Sequence, residues 1–245
     1  MRTFRNKILI IILIIIVVSL SLCLRYRPGK IVNGYTRFGK SEFNQLRPPG
    51  KGEEIAIIKT NAGDIKIRLF PDVAPLAVEN FKTLANEGFY DGYAFDRIEE
   101  EFLIQIGTSS SFTGKSIYGD YFEREISEAY HHFTGAVGAG GNEGGNSSSF
   151  YIICNNGIEP AYLELMSTIG IEEGYTPELI KAYANFGGVP RLDNDYTVFG
   201  QVFYGMDTAL EINGRPLIFN TDTGSTVTLD PVVIETIEIV PYGEE

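Results

Sequence analysis

Eight short runs rich in β-branched and aromatic residues recur along this chain, at residues 54–60, 64–70, 93–98, 102–107, 134–139, 150–154, 197–203 and 232–240. They are strand-length rather than helix-length, and turn residues separate many of them. Eight is a strand count at which a sheet can close on itself with its interior filled by side chains. The expected fold is therefore mainly β, a closed eight-stranded antiparallel barrel. Asn61-Ala62-Gly63 supplies the first hairpin turn. Residues 74–88 read as a helix with Pro75 near its start, Val78, Phe81 and Leu84 on one face, and Gly88 at its end. A second helix is expected over 205–213, and the two would cap the barrel ends. At 245 residues and 44% hydrophobic content the chain can bury one good core.

Two of these runs carry the chemistry. Tyr93–Ile98 and Phe102–Gly107 flank a turn of Glu99, Glu100 and Glu101, and antiparallel pairing sets Arg97 across from Gln105. Side chains alternate between the faces of a strand, so Leu103 and Gln105 share one face while Ile104 and Ile106 take the other. A fixed cation, an aromatic ring and an amide on one hairpin suit work on a peptide bond. Taken singly, Arg97 could equally pair with a Glu of the turn, Phe102 could be core, and Gln105 could be solvated.

Phe95, Arg97, Phe102 and Gln105 together form an F-x-R-x-x-x-x-F-x-x-Q stretch, and there the chain resembles the cyclophilins, the peptidyl-prolyl cis/trans isomerases. Residues 135–152, with Gly135-Ala136-Val137-Gly138-Ala139-Gly140 leading to Ser149-Phe150-Tyr151-Ile152, are similar to the family's strand, Gly/Asn-rich loop and strand. Residues 192–200, Leu192-Asp193-Asn194-Asp195-Tyr196-Thr197-Val198-Phe199-Gly200, are similar to the loop that closes the family's pocket. The resemblance spans 54–240. It implies Arg97, Phe102 and Gln105 as catalytic residues, and Leu103, Ala139, Gly140, Ser149, Tyr151, Arg191, Leu192 and Tyr196 as substrate-binding ones. Ala139 and Gly140 would act through their backbone. The implied activity is rotation about X-Pro bonds in exported protein clients, with no cofactor or metal. A proline-peptide-binding chaperone with little turnover is the alternative. The sequence departs from the family pattern at Ser149 (usually Gln), Arg191 (often Trp), Tyr196 (commonly His) and the Glu-rich turn. Tyr151 keeps an aromatic wall but brings a hydroxyl that needs a partner.

Charge divides the chain sharply. Residues 1–52 carry ten Lys/Arg against Glu42 alone, a net of +9, while residues 53–245 carry a net of −21. So acidic a domain repels phosphate backbones, which argues against nucleic acid, and favours neutral or basic client segments. Arg2, Arg5 and Lys7 precede seventeen uncharged residues, Ile8–Leu24, after which Arg25 and Arg27 follow. This reads as an uncleaved single-pass signal anchor, contacting the bilayer through residues 8–24. Basic residues on both sides leave the positive-inside rule undecided, and resemblance to exported bacterial cyclophilins places the domain outside the cytoplasm. Leu22 stands where a lipobox needs a small residue, which weighs against Cys23 as a lipid site. The organisation is thus an anchor over 1–24, a basic flexible spacer over 25–52, and an isomerase domain over 53–245 with a helical insertion at 157–188. In that insertion, Pro160–Ile169 and a segment begun by Thr176-Pro177 and ended at Gly187 are the expected helices. His131 and His132 lack the spacing of a metal site and read as surface residues, and Cys154 reads as a small buried apolar residue.

Overall fold

The computed structural model describes residues 42–108, 115–221 and 224–243, together with the backbone of 31–32 and 35–36. The expected anchor, Ile8–Leu24, lies outside them, and among the described residues no helix is long and apolar enough to cross a membrane.

The strands are β1 (Ile31–Val32), β2 (Tyr35–Thr36), β3 (Glu54–Thr60), β4 (Gly63–Leu69), β5 (Arg97–Glu99), β6 (Leu103–Ile106), β7 (Ala136–Asn142), β8 (Gly145–Ile153), β9 (Val198–Tyr204), β10 (Leu217–Asn220), β11 (Ser225–Thr228) and β12 (Ile234–Pro241). Eight of them run in the order β12-β3-β4-β9-β7-β8-β6-β5, each antiparallel to its neighbours. These are the eight runs read from the sequence. Closure needs correcting, because no ladder joins β5 to β12 and the barrel is open there. Ala94 and Val233 form a single bridge at the seam, and Gly92 N–H to Ile234 O (2.8 Å), Ile234 N–H to Tyr93 O (2.9 Å) and Phe95 N–H to Val232 O (3.1 Å) hold it. The run at 93–98 yields a strand only from Arg97, since residues 90–95 turn across the seam instead of extending.

The helices are α1 (Pro75–Asn86), α2 (Pro160–Ile169), α3 (Pro177–Phe186) and α4 (Met206–Asn213). Pro stands at the start of α1, α2 and α3, where its missing N–H costs no helical hydrogen bond. The residue before α1, Ala74, has no side-chain acceptor. Glu125 caps the helix from a distant loop instead, its two carboxylate oxygens accepting Leu76 and Ala77 N–H at 2.9 Å each. Val78, Phe81 and Leu84 of α1 and Met206, Ala209 and Ile212 of α4 enter one core with the inward residues of the barrel. Phe81 packs 5.3 Å from both Phe150 and Phe199. Emptying such a site costs about 3–5 kcal/mol.

A second correction concerns the spacer. Gln45 is 0% and Leu46 1% exposed, and Tyr35 of β2 registers with Tyr204 of β9. Gln45 Nε2 donates to His131 O (2.7 Å) and Gln201 Oε1 (2.9 Å), and its Oε1 accepts His131 N–H (2.8 Å). Residues 42–49 are thus docked on the barrel and are not a flexible coil. Leu46 shares a small core with Phe133 and with Met166, Leu179 and Tyr183 of the insertion, so leading segment and insertion pack as one layer. The hairpin β10–β11 lacks a clear inward face in sequence, since Leu217 packs on the main core while the adjacent Ile218 and Phe219 are exposed.

Candidate active site

The β5–β6 hairpin registers Arg97 against Gln105, as the alternation requires. Its turn is held from α4, where Asn213 Oδ1 accepts Glu101 N–H (3.0 Å) and Asn213 Nδ2 donates to Glu99 O (2.8 Å) and Leu103 O (3.2 Å). Arg97 Nη1 donates to Gln105 Oε1 at 2.6 Å, and Gln105 Nε2 donates to Ser149 Oγ at 3.0 Å. Ser149 Oγ then donates to Ile106 O at 2.7 Å. The guanidinium is therefore aimed by two further side chains, Gln105 and Ser149, with Ser149 closing the chain against the backbone. Arg97 Nη2 also pairs with Glu99, the competitor that a Glu-rich turn supplies.

Leu103, Tyr151 and Leu192 form one apolar cluster with Phe102 and Tyr196 packed on it, which brings five of the expected site residues to one wall. The Tyr151 ring covers Gly138, where an added Cβ would lie 2.1 Å from Cζ. Gly140 leaves room for Ser149 in the same way, at 2.3 Å. Arg191 is exposed and its guanidinium lies 4.6 Å from the Phe102 ring centre, against 5.9 Å for that of Arg97. Ala139 falls outside this wall. Its side chain belongs to the main core and its N–H is donated to Thr197 O at 3.0 Å. A cavity of about 220 Å³ beside Asn44, Arg68, Phe70 and Tyr130 is lined by none of the expected site residues.

The two histidines are buried, contrary to their expected place on the surface. His131 is 7% and His132 1% exposed, because Asp193 draws both inward. Asp193 Oδ2 accepts from His131 Nδ1 (2.9 Å) and Tyr183 O–H (2.6 Å), and Oδ1 accepts His132 N–H (2.8 Å) and His132 Nδ1 (2.9 Å). His132 Nε2 and the Tyr151 hydroxyl oxygen lie 2.9 Å apart in a hydrogen bond whose direction is set by the imidazole tautomer. That is the partner the Tyr151 hydroxyl requires. Burial raises the Asp193 carboxyl, but the His131 and His132 hydrogen bonds outweigh it and hold it at about 2. Burial pushes the Tyr151 phenol far up, so the ring stays neutral. Burial likewise raises the Cys154 thiol well above its ordinary value, which keeps it inert. Among the described residues no group of three His, Cys, Asp or Glu is placed to hold a metal.

An open β-barrel with an Arg–Gln pair beside an apolar cluster of Phe102, Leu103, Tyr151 and Leu192 fits a cyclophilin-like class of protein. Residues 55–239 match the model of the family described as cyclophilin type peptidyl-prolyl cis-trans isomerase, and the chain belongs to that family. It is 38% identical over 205 residues to a Staphylococcus saprophyticus protein named as a peptidyl-prolyl cis-trans isomerase, covering 82% of this chain and 99% of that one. It is 41% identical to a Streptococcus pyogenes protein named as a bifunctional phosphatase/peptidyl-prolyl cis-trans isomerase, covering 81% of this chain and 41% of that one. In fold it is similar to a Cryptosporidium parvum cyclophilin solved in the presence of the dipeptide Ala-Pro, with a TM-score of 0.56, 24% identity, and coverage of 78% and 99%.

Proposed function

We propose that this chain accelerates cis/trans rotation about X-Pro bonds in exported protein clients, with Arg97 as the stabilising donor. The observation that carries the reading is the placement of the Arg97 guanidinium, fixed by Gln105 beside the apolar wall of Phe102, Leu103, Tyr151 and Leu192. Rotation is slow because amide resonance must be lost at the twisted midpoint. As it is lost, the prolyl nitrogen regains a lone pair. An always-charged guanidinium with donors to spare can bind that nitrogen better in the twisted state than in the planar one. No bond is made or broken, and no proton moves. The wall holds the proline ring, while Gln105 and the Gly140 backbone hold the preceding chain.

The Arg97–Glu99 pair supports a second reading, a proline-binding chaperone whose cation is held back from its client. Exchange NMR on an Ala-Pro peptide with the full-length chain in detergent decides between them. The isomerase reading expects accelerated exchange that falls by about tenfold or more in Arg97→Ala, with peptide binding retained. Equal rates in both proteins would refute it. The anchoring over residues 8–24, with the domain outside the cytoplasm, is part of the same proposal. It fails if the protein washes off membranes at alkaline pH, or if intact cells shield it from added protease.

A further inference from the structure

The family position often held by Trp is Arg191 here, and a second cation, Arg124, stands across the same wall. The Arg191 guanidinium lies 4.6 Å from the centre of the Phe102 ring, and that of Arg124 lies 5.2 Å from the centre of the Tyr196 ring. Phe102 and Tyr196 both pack on the pocket cluster, and Arg124 is near enough to Tyr151 for its charge to act on that phenol. Both arginines are exposed, and among the described residues neither has a carboxylate within 4 Å. Arg124 Nη2 donates to Asn142 O at 2.8 Å, which fixes its head without neutralising it. Three nearby acids are already engaged, while Glu123 and Asp195 are exposed and lie beyond 4 Å of both guanidinium groups. Glu99 holds Arg97, Glu125 caps α1, and Asp193 is taken up by the two histidines and Tyr183.

We infer that this pocket selects X-Pro segments carrying an acidic side chain next to the proline, with Arg191 and Arg124 as the cations that confer the preference. The inference rests on the isomerase reading for where the proline sits. It reverses, at the pocket, the preference for basic clients that the net charge of residues 53–245 suggests, because a contact charge within a few ångströms outweighs distant ones screened over about 8–10 Å. An aliphatic or aromatic neighbour gains nothing from these groups. A carboxylate gains charge-assisted hydrogen bonds, which guanidinium geometry favours.

The test compares Ala-Glu-Pro-Ala and Ala-Ala-Pro-Glu with their Lys counterparts, by exchange NMR with the full-length chain in detergent. The larger Glu:Lys ratio of kcat/KM is expected to be about fivefold or more at low ionic strength and to shrink as salt is added. The double variant R191Q/R124Q should bring that ratio to about one, and R191K/R124K should restore only part of it, since Lys keeps the charge but not the paired donors of a guanidinium. A ratio at or below one in the wild-type chain overturns the inference, as does a ratio that R191Q/R124Q leaves unchanged. If no peptide is accelerated, the isomerase reading fails separately. The Glu:Lys ratio is then taken from peptide-binding titrations, where equal affinities overturn the inference.

Discussion

Replacing Asp193 with Asn keeps the shape of the side chain and removes its charge, which isolates what the buried carboxylate contributes. Its two oxygens accept four donors, His132 N–H and His132 Nδ1 on one, His131 Nδ1 and Tyr183 O–H on the other. However the amide of an Asn is turned, its NH₂ meets two of those donors. Hydrogen bonds to a charged group contribute about 1.5–3 kcal/mol each, and breaking a buried charged cluster costs about 3–5 kcal/mol. A second route uses the carboxyl itself, lowered from 3.8 to about 2 by histidine hydrogen bonds that outweigh burial. At about 1.4 kcal/mol per pKa unit, folding favours the ionised form by roughly 2–3 kcal/mol. Both routes give a loss of about 3 kcal/mol at neutral pH. Because the folded pKa is depressed, this contribution is present above the ordinary carboxylate pKa and is lost as pH falls through the folded value. About half of it is gone by pH 3. The chain has no Trp, so urea unfolding followed by far-ultraviolet circular dichroism at pH 7 and pH 3 is the assay. Asp193→Asn should be less stable by about 3 kcal/mol at pH 7, with the gap narrowing at pH 3. A gap under about 0.5 kcal/mol, or one that does not change with pH, refutes the reasoning.

Gln45→Ala strips partners from His131 N–H, His131 O and Gln201. It should cost about 1–3 kcal/mol in the same assay, whereas a true spacer residue would cost nothing. Gly138→Ala places a methyl on the Tyr151 ring and should weaken proline-peptide binding by about tenfold, or roughly 1.4 kcal/mol, read by NMR titration. Unchanged affinity would mean that Tyr151 is not a wall of the pocket.

Much of the architecture was legible because it obeys local rules. The strands of the barrel path follow hydrophobic patterning, and the insertion helices are punctuated by Pro160, Gly170, Thr176-Pro177 and Gly187. The Arg97–Gln105 register follows from antiparallel pairing across the short Glu-rich turn, and alternation then sets which side chains share a face. What escaped depends on distance. Nothing near residue 45 announces that a Gln there will fill a cleft beside residues 131 and 201, and the adjacent histidines look solvated until Asp193 arrives from sixty residues away. One signal was available, since the Tyr151 hydroxyl at a buried position demanded an acceptor and a nearby imidazole was a candidate. Closure failed as an expectation because eight strands permit a barrel without requiring a continuous ladder, and the seam uses a bent segment at 92–95 in place of a strand.

The pairing of β12 with β3 sets Ile237 opposite Ile58, so one of the earliest strands to be synthesised waits for one of the last. Until residues 234–241 emerge, β3 offers an unpaired, strongly apolar edge along Ile55, Ile57 and Ile58, the kind of template on which nascent chains aggregate. The β3–β12 ladder is thus the longest-range pairing of the sheet, and in folding it is the edge that stays open until distant parts of the chain meet.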